Sequence, residues 1–292
     1  MILLVMLKLV AMDDSLVATG ILVAATPLGN IRDASPRLVE ALERADVIAA
    51  EDTRRARSLA AALGAEIRGK VVSNFDHNEE HRAQELIDVA RSGLVLVISD
   101  AGMPLVSDPG HSIVSAAHDA GVRVTCLPGP SAVTTALALS GLGVGRFIFD
   151  GFAPRKSGAR TTWLESLKGE KRAICFFESP HRIGATLAHA AEVLGSERRV
   201  AVCRELTKTY EEVRRGTLAE LAEWAADGLR GEITVVIDSA DSTPAPADEE
   251  DLVEAVLAKV DSGMRLKDAV KDVAKAAGVK VGDLYDAALL RR

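Results

Sequence analysis

Short aliphatic runs alternate with longer amphipathic stretches through the first half of the chain, and this alternation limits the folds that it can adopt. The stretches at 35–46 and 78–93 carry apolar residues about 3.6 positions apart and are predicted as helices. Strands that alternate with helices in this way form a mostly parallel sheet covered by helices. The runs predicted as buried strands lie at 20–26, 47–52, 70–75, 94–100 and 122–129.

A second series of aliphatic runs follows, and it predicts a second α/β domain. Its strand candidates are separated by helical stretches such as 179–195. The Pro-Gly-Pro at 128–130 separates the two series, so we predict α/β domains over 15–129 and 130–240. A Ser-, Pro- and acid-rich linker at 241–251 then leads to a small helical module at 252–292. The strand candidates of the second series are 146–152, 172–179, 198–206 and 231–238.

Residues 1–14 form a separate case. The apolar run at 1–12 resembles a short signal segment, but it is too short to span a bilayer and is followed by Asp13 and Asp14. We interpret it as an extension outside the core, or as the product of an upstream start with Met12 as the true first residue. The alternative is export. This interpretation predicts a cytoplasmic protein with no membrane association.

Composition excludes several functional classes. The net charge of -7 and the pI of about 5.5 argue against nucleic-acid binding by bulk electrostatics. Aromatic residues make up 3% of the chain, which argues against an aromatic base-stacking platform like those of single-strand binders. The three cysteines are far apart, with no CxxC pair, so neither a disulfide framework nor a metal site is predicted.

Polar turns follow the predicted strands, where open α/β sheets place their ligands. The turn at 99–110 contains two Ser-Asp pairs, each followed by Gly and Pro. We assign Asp100 to a ligand and Asp108 to capping the next helix, with Pro109 at the first helical position. The turns at 25–30 and 128–132 also end strands, and Ser131 either caps a helix or leaves its amides to a polar ligand group. A GxGxxG fingerprint and a Walker A loop are both missing from the sequence.

Three further polar clusters end strands, at 51–55, 176–182 and 204–208. In the second, Ser179 and Pro180 are predicted as the cap and first residue of a helix. The alternative for 51–55 and 204–208 is a solvated surface of salt bridges. Because all these clusters follow strand ends, we expect them to gather along one edge of the two sheets and to face a common cleft.

Six ordered blocks carry a specific resemblance: ATPLGN, EDTRR, SDAGMPLVSDPG, PGPSA, FFESPHR and RELTK. Together they resemble the ribosomal RNA small subunit methyltransferase I family, a branch of the tetrapyrrole methylases, over about residues 20 to 290. The resemblance implies two α/β domains of the tetrapyrrole methylase fold with S-adenosylmethionine in the cleft between them, and a homodimer. It also implies methylation of a cytidine 2′-oxygen in 16S ribosomal RNA. The implied cofactor contacts are Pro27, Asp100, Met103, Ser131, Ala132, Phe177, Leu206 and Thr234.

A ribose 2′-hydroxyl is a weak nucleophile and benefits from a general base. The candidate groups at the cleft are Glu51, Asp52, Glu178, Glu205 and Lys208. We hypothesise that Asp52 or Glu178 takes the proton, and the sequence does not choose between these two acids.

The C-terminal module is locally basic, with seven Lys/Arg and four Asp/Glu from Gly263 onward. Its end has the pattern of a helix-turn-helix, which predicts either a lid over RNA or a helical pair that caps the fold. The acidic net charge favours an assembled small ribosomal subunit over naked RNA as the partner. The candidate RNA contacts are Arg54, Arg55, Arg155, Lys156, Arg182, Lys208, Arg265 and Lys267.

Three other functions remain open at this point. A tetrapyrrole methyltransferase of the precorrin or uroporphyrinogen type would share the fold and the cofactor. An enzyme of diphthamide synthesis matches the motifs less well. A non-catalytic regulator that binds adenosylmethionine belongs to a different class.

Overall fold

The first domain is built on a five-stranded parallel sheet. The computed structural model describes residues 16–74, 79–240, 249–277 and 279–291, so the predicted extension at 1–14 and most of the linker at 241–251 lie outside the described residues. The strand order is β3-β2-β4-β1-β5. All five predicted strands are present: β1 (Gly20–Ala24), β2 (Val47–Ala50), β3 (Lys70–Ser73), β4 (Leu94–Ile98) and β5 (Val124–Leu127).

Helices cover both faces of this sheet, as the near-continuous burial of its central strands requires. One face packs against α1 (Pro36–Arg44) and α2 (Thr53–Leu63) through Leu38, Leu42 and Ala56. The other packs against α3 (Glu79–Ala90) and α4 (His111–Asp119) through Ile87 and Ile113. A 3-10 turn at Ile31–Asp33 precedes α1. The first domain is therefore the α/β layer arrangement that the alternation predicts.

The second domain has a mixed sheet. Its order is β6-β7-β10-β8-β9; the neighbouring strands β6 and β7 pair in parallel, and the other neighbouring pairs of the described sheet are antiparallel. The strand β9 was not predicted, because its residues EVRRGT are polar and half exposed at the edge of the sheet. The strands are β6 (Phe147–Phe152), β7 (Ala173–Glu178), β8 (Arg199–Arg204), β9 (Glu212–Thr217) and β10 (Ile233–Ile237).

The antiparallel placement of β10 decides which groups meet at the cleft. Ile233, the first residue of β10, pairs with Glu178 at the end of β7 and with Arg204 at the end of β8. The carboxyl ends of β7 and β8 therefore share an edge with the start of β10. The sequence predicts only the ends of strands at the cleft, and the fold adds the start of β10.

Helices also cover both faces of the second sheet. The helix α5 (Ala132–Ser140) packs on one face through Val133, Ala136 and Leu137. The opposite face carries α6 (Ser157–Ser166), α7 (Ile183–Leu194) and α8 (Leu218–Trp224). Because α5 follows the Pro-Gly-Pro at 128–130 and already belongs to the second domain, the chain crosses between domains at that turn.

The C-terminal module contains three helices, α9 (Glu249–Asp261), α10 (Leu266–Ala277) and α11 (Val281–Leu290). They share a small core that includes Val256, Val270 and Leu284. The two helices expected from the sequence are thus preceded by a third that packs with them. Within the described ranges, none of the helices has the length and apolar character needed to cross a membrane.

Candidate functional site

A cavity of about 370 Å³ lies between the cleft edges of the two sheets. The first domain contributes the ends of β2 and β4 and the loop after β4, while the second contributes the end of β7 and the start of β10. The residues that line it are Leu28, Glu51, Arg55, Asp100, Ala101, Gly102, Met103, Val106, Asp108, Ser131, Ala132, Phe152, Phe177, Glu178, Ser179, Pro180, Gly231, Glu232, Ile233 and Thr234.

Asp100 is fixed at the centre of the first-domain wall. Its Oδ1 accepts a hydrogen bond from the backbone amide of Asp52 at 3.1 Å, and its Oδ2 lies 3.2 Å from Nη1 of Arg55. The backbone amide of Asp100 donates to Oε2 of Glu51 at 3.2 Å. The ends of β2 and β4 are thus tied together by carboxylates, which holds Asp100 in one orientation before any ligand binds.

The loop after β4 is held in an uncommon backbone conformation. Gly102 exchanges two backbone hydrogen bonds with Thr26, at 2.9 and 3.0 Å, and has φ +84°. Leu105 and Ser107 have φ values of 70° and 68°, which residues other than glycine rarely adopt. This path turns Met103 and Val106 into the cavity wall.

The predicted cap at Asp108 is wrong. The helix α4 begins at His111, and its N-cap is Gly110, with φ 130° and no side-chain cap. The helix therefore starts two residues later than the Asp-Pro pair suggests. Asp108 lines the cavity instead.

The start of α5 faces the cavity with its backbone amides. Ser131 is the N-cap residue, yet its side chain makes no capping hydrogen bond. Ser131 and Ala132 both line the cavity. Uncapped amides and the positive end of the helix dipole favour a negatively charged ligand group here.

Glu178 forms the buried base of the second-domain wall, with 2% of its surface exposed. One carboxylate oxygen accepts from the amide of Ser179 at 2.6 Å and also pairs with Arg182. The other oxygen accepts from Oγ1 of Thr186 at 2.6 Å. Both oxygens are therefore occupied by protein donors, which positions the turn between β7 and α7.

This arrangement also corrects the predicted cap at Ser179. The helix α7 begins at Ile183, and Arg182 is its N-cap residue. The carbonyl of Ser179 accepts from the amides of Arg182 and Ile183, so 179–182 form a turn before the helix. Ser179 and Pro180 remain outside the helix and line the cavity.

Asp52 lies beside the cavity rather than in its wall. It is the N-cap of α2, and its Oδ1 accepts from the amide of Arg54 at 2.8 Å. The side chain of Arg54, followed by that amide, lowers the pKa of Asp52 to about 2. The neighbouring acid in the cavity wall is Glu51.

The turn at 205–208 joins the two domains at the edge of the cavity. Its Glu205 and Thr207 have φ values of 52° and 64°. The hydroxyl of Thr207 accepts a hydrogen bond from the amide of Asn30 at 3.0 Å. Lys208 pairs with Glu205 at 2.8 Å and with Glu232 at 3.2 Å. The first-domain loop after β1 is thereby attached to the second-domain wall.

The comparisons with known proteins agree with this architecture. Residues 20–222 match the family described as Tetrapyrrole (Corrin/Porphyrin) Methylases. A protein of Mycobacterium tuberculosis strain H37Rv, named ribosomal RNA small subunit methyltransferase I, is 56% identical over 275 residues, which cover 93% of this chain and 95% of that protein.

The chain belongs to the ribosomal RNA small subunit methyltransferase I family, within the tetrapyrrole methylases.

Solved structures share the fold at low sequence identity. The methyltransferase CobJ aligns with a TM-score of 0.58 and 20% identity over 76% of this chain and 95% of its own. A uroporphyrin-III C-methyltransferase from Thermus thermophilus, complexed with S-adenyl homocysteine, aligns with a TM-score of 0.52 and 19% identity over 74% and 95%. Family membership confirms the predicted fold, the methyltransferase class and S-adenosylmethionine as the cofactor.

The cavity has the donor set that this cofactor requires. Asp100, Asp108 and Glu232 line the cavity and would place negative charge near a sulfonium and an ammonium group. The amides at the start of α5 suit a carboxylate, and Met103, Val106, Phe152 and Phe177 offer apolar surface for the adenine ring. When bound, S-adenosylmethionine would supply an electrophilic methyl group for transfer to the substrate.

The structure brings most of the predicted cofactor contacts together. Pro27 and Leu206 are buried and do not line the cavity, although their loops flank it. The wall residues that the sequence analysis did not select include Val106, Phe152 and Gly231–Ile233. No local sequence pattern marks Val106 or Phe152 as wall residues. Residues 231–233 reach the cavity because β10 is antiparallel to its neighbours. The predicted contacts that line the cavity are Asp100, Met103, Ser131, Ala132, Phe177 and Thr234.

The predicted RNA contacts fall into two groups. The first group pairs with acids of the site. Arg54 pairs with Asp52, Arg55 with Asp100 and Arg182 with Glu178. Lys208 pairs with both Glu205 and Glu232. The other four lie on exposed surface, before α6 and at the start of α10, and are Arg155, Lys156, Arg265 and Lys267.

Proposed function

We propose that this chain transfers a methyl group from S-adenosylmethionine to the ribose 2′-oxygen of a cytidine in 16S ribosomal RNA, within the small ribosomal subunit. The observation that carries the proposal is the 56% identity to a protein named for this substrate class, over 95% of that protein's length. A relative from Mesorhizobium japonicum with the same name is 44% identical.

The site supports transfer to a weak nucleophile by positioning. Asp100 is held by Asp52 and Arg55, and the strained loop at 103–107 is held by Gly102 and Thr26. A wall fixed in this way orients the bound reactants without reorganisation during the reaction. The cavity also lies between two domains, which limits the access of water to the reacting atoms.

Two acids are proposed to assist the proton transfer, and their surroundings differ. Glu178 lines the cavity, but its oxygens are committed to Ser179, Thr186 and Arg182. Asp52 is more accessible, but it lies outside the wall and pairs with Arg54. A role for Glu178 in holding the turn at 179–182 fits its contacts best. Asp52 remains the candidate for the base, because its side chain is partly exposed beside the cavity.

The substrate contacts are proposed to be distributed over the surface. Arg155 and Lys156 are exposed on the second domain, and Arg265 and Lys267 are exposed on the C-terminal module. With a net charge of -7, such local patches provide phosphate contacts while proteins of the assembled subunit add affinity. A cytoplasmic homodimer is the state that we propose for the enzyme.

Methyl transfer to small ribosomal subunits that lack the modification tests the proposal. Radiolabel from S-adenosylmethionine should appear in 2′-O-methylcytidine, or its base-methylated form, after digestion to nucleosides. The Asp100→Asn variant, which removes a charge from the cavity wall, is the matched negative control. Label on uroporphyrinogen instead of RNA would support the tetrapyrrole alternative. Cofactor binding with no transfer to either acceptor would support the regulator.

A further inference from the structure

A groove leaves the cofactor cavity along the cleft edge of the second sheet. Gly231 lines both the cavity and a neighbouring depression of about 280 Å³. Arg204 and Arg230 line that depression and a further one of about 500 Å³. Because these neighbouring depressions share lining residues, we call them together the edge groove. It is lined by His181, Arg204, Glu205, Tyr210, Glu212, Trp224, Asp227, Gly228, Leu229, Arg230 and Gly231.

The edge groove holds two of the few aromatic side chains in the protein. The chain has only two Trp, two Tyr and six Phe. Tyr210 is 74% exposed and Trp224 is half-buried, and both line the groove. Phe152, which is 60% exposed, lines the adjoining cavity. An exposed ring presents a flat apolar face, and such faces stack on unpaired bases.

Cations accompany these rings. Among the residues that the structure describes, the guanidinium of Arg230 has no ion pair or hydrogen bond to a side chain. Arg214 lies over the ring of Trp224, with its Cζ 4.9 Å from the ring centroid. Arg204 pairs with Glu212 at 2.9 Å, and Lys208 pairs with Glu205, so these two acids are compensated. Asp227 is the remaining acid of the groove.

The backbone of the groove is already ordered. Leu229 donates a hydrogen bond to the carbonyl of Pro180 at 2.9 Å, which ties the groove to the turn in the cavity wall. Gly231 has φ +91°, and a Cβ there would lie 2.4 Å from Cγ of Glu205. The groove therefore needs little rearrangement to receive a ligand.

We propose that the edge groove binds the single-stranded RNA next to the acceptor nucleotide, with a base stacked on Tyr210 and a phosphate on Arg230. This inference rests on the proposed function. The occupant is RNA because the groove adjoins, at Gly231, the cavity that the acceptor ribose must enter. A strand in the groove is therefore covalently continuous with that ribose. Stacking of an unpaired base on an aromatic ring beside a guanidinium is a common mode of single-strand recognition.

Steady-state kinetics on small ribosomal subunits test the stacking contact. Tyr210→Ala should raise the KM for subunits about tenfold, the scale of one lost base–aromatic stack. Tyr210→Phe retains the ring and should stay within about twofold of the wild type. The affinity for S-adenosylmethionine, measured by calorimetry, should be unchanged in both variants. Arg68→Ala, at an exposed arginine before β3 and far from the cleft edge, is the matched surface control.

Salt dependence tests the phosphate contact. Arg230→Ala should reduce the slope of log kcat/KM against log salt concentration by about one, as expected for one lost phosphate contact. Arg230→Lys keeps the charge and should keep the slope. If Tyr210→Ala and Arg230→Ala both behave like Arg68→Ala on subunits that the wild type methylates, the groove proposal fails while the proposed function stands.

Photocrosslinking reports on the groove without methyl transfer. With p-benzoylphenylalanine replacing Tyr210, irradiation with small subunits should attach the protein to 16S ribosomal RNA. A crosslink only to a ribosomal protein, or none above that of the same substitution at Arg68, would overturn the RNA assignment. A crosslink to RNA by an enzyme that transfers no methyl group would instead leave the groove standing and remove the proposed function.

Discussion

The side chain of Lys208 occupies the space into which a side chain at Gly29 would project. A Cβ at residue 29 would lie 2.1 Å from Cγ of Lys208 and 3.2 Å from its Cβ. Gly29 belongs to the first domain and Lys208 to the second, and the neighbouring Asn30 donates to Thr207. The two domains therefore approach each other at a point where only glycine fits, directly beside the cofactor cavity.

We expect Gly29→Ala to separate these two loops. The overpacking should lower the free energy of unfolding by about 1–3 kcal/mol, and the affinity for S-adenosylmethionine should fall because the cavity spans both domains. Chemical denaturation and calorimetry measure the two effects. Gly158→Ala is the control, since nothing lies within 4 Å of a Cβ at that position. Equal behaviour of the two variants would show that the close approach does not matter.

We expect Asp100→Asn to weaken cofactor binding. The amide preserves the size of the side chain but removes the charge that faces the cavity and pairs with Arg55. The loss of one charge-assisted contact corresponds to about a tenfold or greater rise in Kd for S-adenosylmethionine. Isothermal calorimetry provides the measurement. Asp88→Asn, on the exposed face of α3, is the matched substitution. An unchanged Kd in Asp100→Asn would exclude this residue from the binding set.

We expect Glu178→Gln to reduce both stability and turnover. In this variant Arg182 loses its charged partner. Either Thr186 or Ser179 also loses a carboxylate oxygen as its hydrogen-bond acceptor. Together these losses should lower the free energy of unfolding by about 1–3 kcal/mol. If the acid also assists proton transfer, turnover should fall by about 10²-fold or more.

Asp52→Asn distinguishes a base from a structural acid. The amide oxygen still accepts from the backbone of Arg54, so α2 stays capped and stability should change little. A large loss of turnover would then identify Asp52 as the base. Normal turnover in both amide variants would favour catalysis by positioning alone.

We expect the free energy of unfolding to decrease at low pH because of the ion pair between Glu170 and Arg172. The side chain of Arg172 and its amide hold the pKa of Glu170 at about 2, against an ordinary value of 4.5. A carboxyl group whose pKa is lower in the native state than in the unfolded state stabilises the native state at pH values above the unfolded pKa. This stabilisation is lost as the pH falls toward the native pKa. The window for Glu170 is therefore pH 4.5 to 2.

Thermal unfolding across this window measures the effect. Glu170→Gln should make the melting temperature less dependent on pH below 4.5 than in the wild type. Glu66→Gln is the control, because the side chain of Glu66 is 80% exposed and its carboxylate lies 3.8 Å from the guanidinium of Arg68. The same pH profile in Glu170→Gln and wild type would contradict the assignment.

The sequence predicted the secondary structure of both domains because that information is local. Five aliphatic runs with intervening helical periods were sufficient for the parallel sheet, and the turn at 128–130 marked the crossing into the second sheet. The polar turns after β4 and β7 were expected at a cleft, and Asp100 and Phe177 both line it. Among the strands of the described residues, β9 was the one missed, because an exposed edge strand has no apolar alternation to reveal it.

The tertiary structure decided which charges are engaged. Arg182 and Lys208 were predicted to contact phosphate, yet they pair with Glu178 and with Glu205 and Glu232. Residues 208 and 232 meet because β10 inserts antiparallel between β7 and β8. Strand order depends on pairings between residues far apart in the chain, and the local periodicity of the sequence does not predict these pairings.

By itself, then, the sequence determined the elements, the two-domain order and the strand ends where a ligand could bind, because each depends on neighbouring residues. Only the tertiary structure decided that Gly29 meets Lys208, that Glu178 is saturated by its own turn, and that an aromatic groove opens beside the cavity. These features arise where separate elements pack together, and packing is set by the distances and orientations of distant residues.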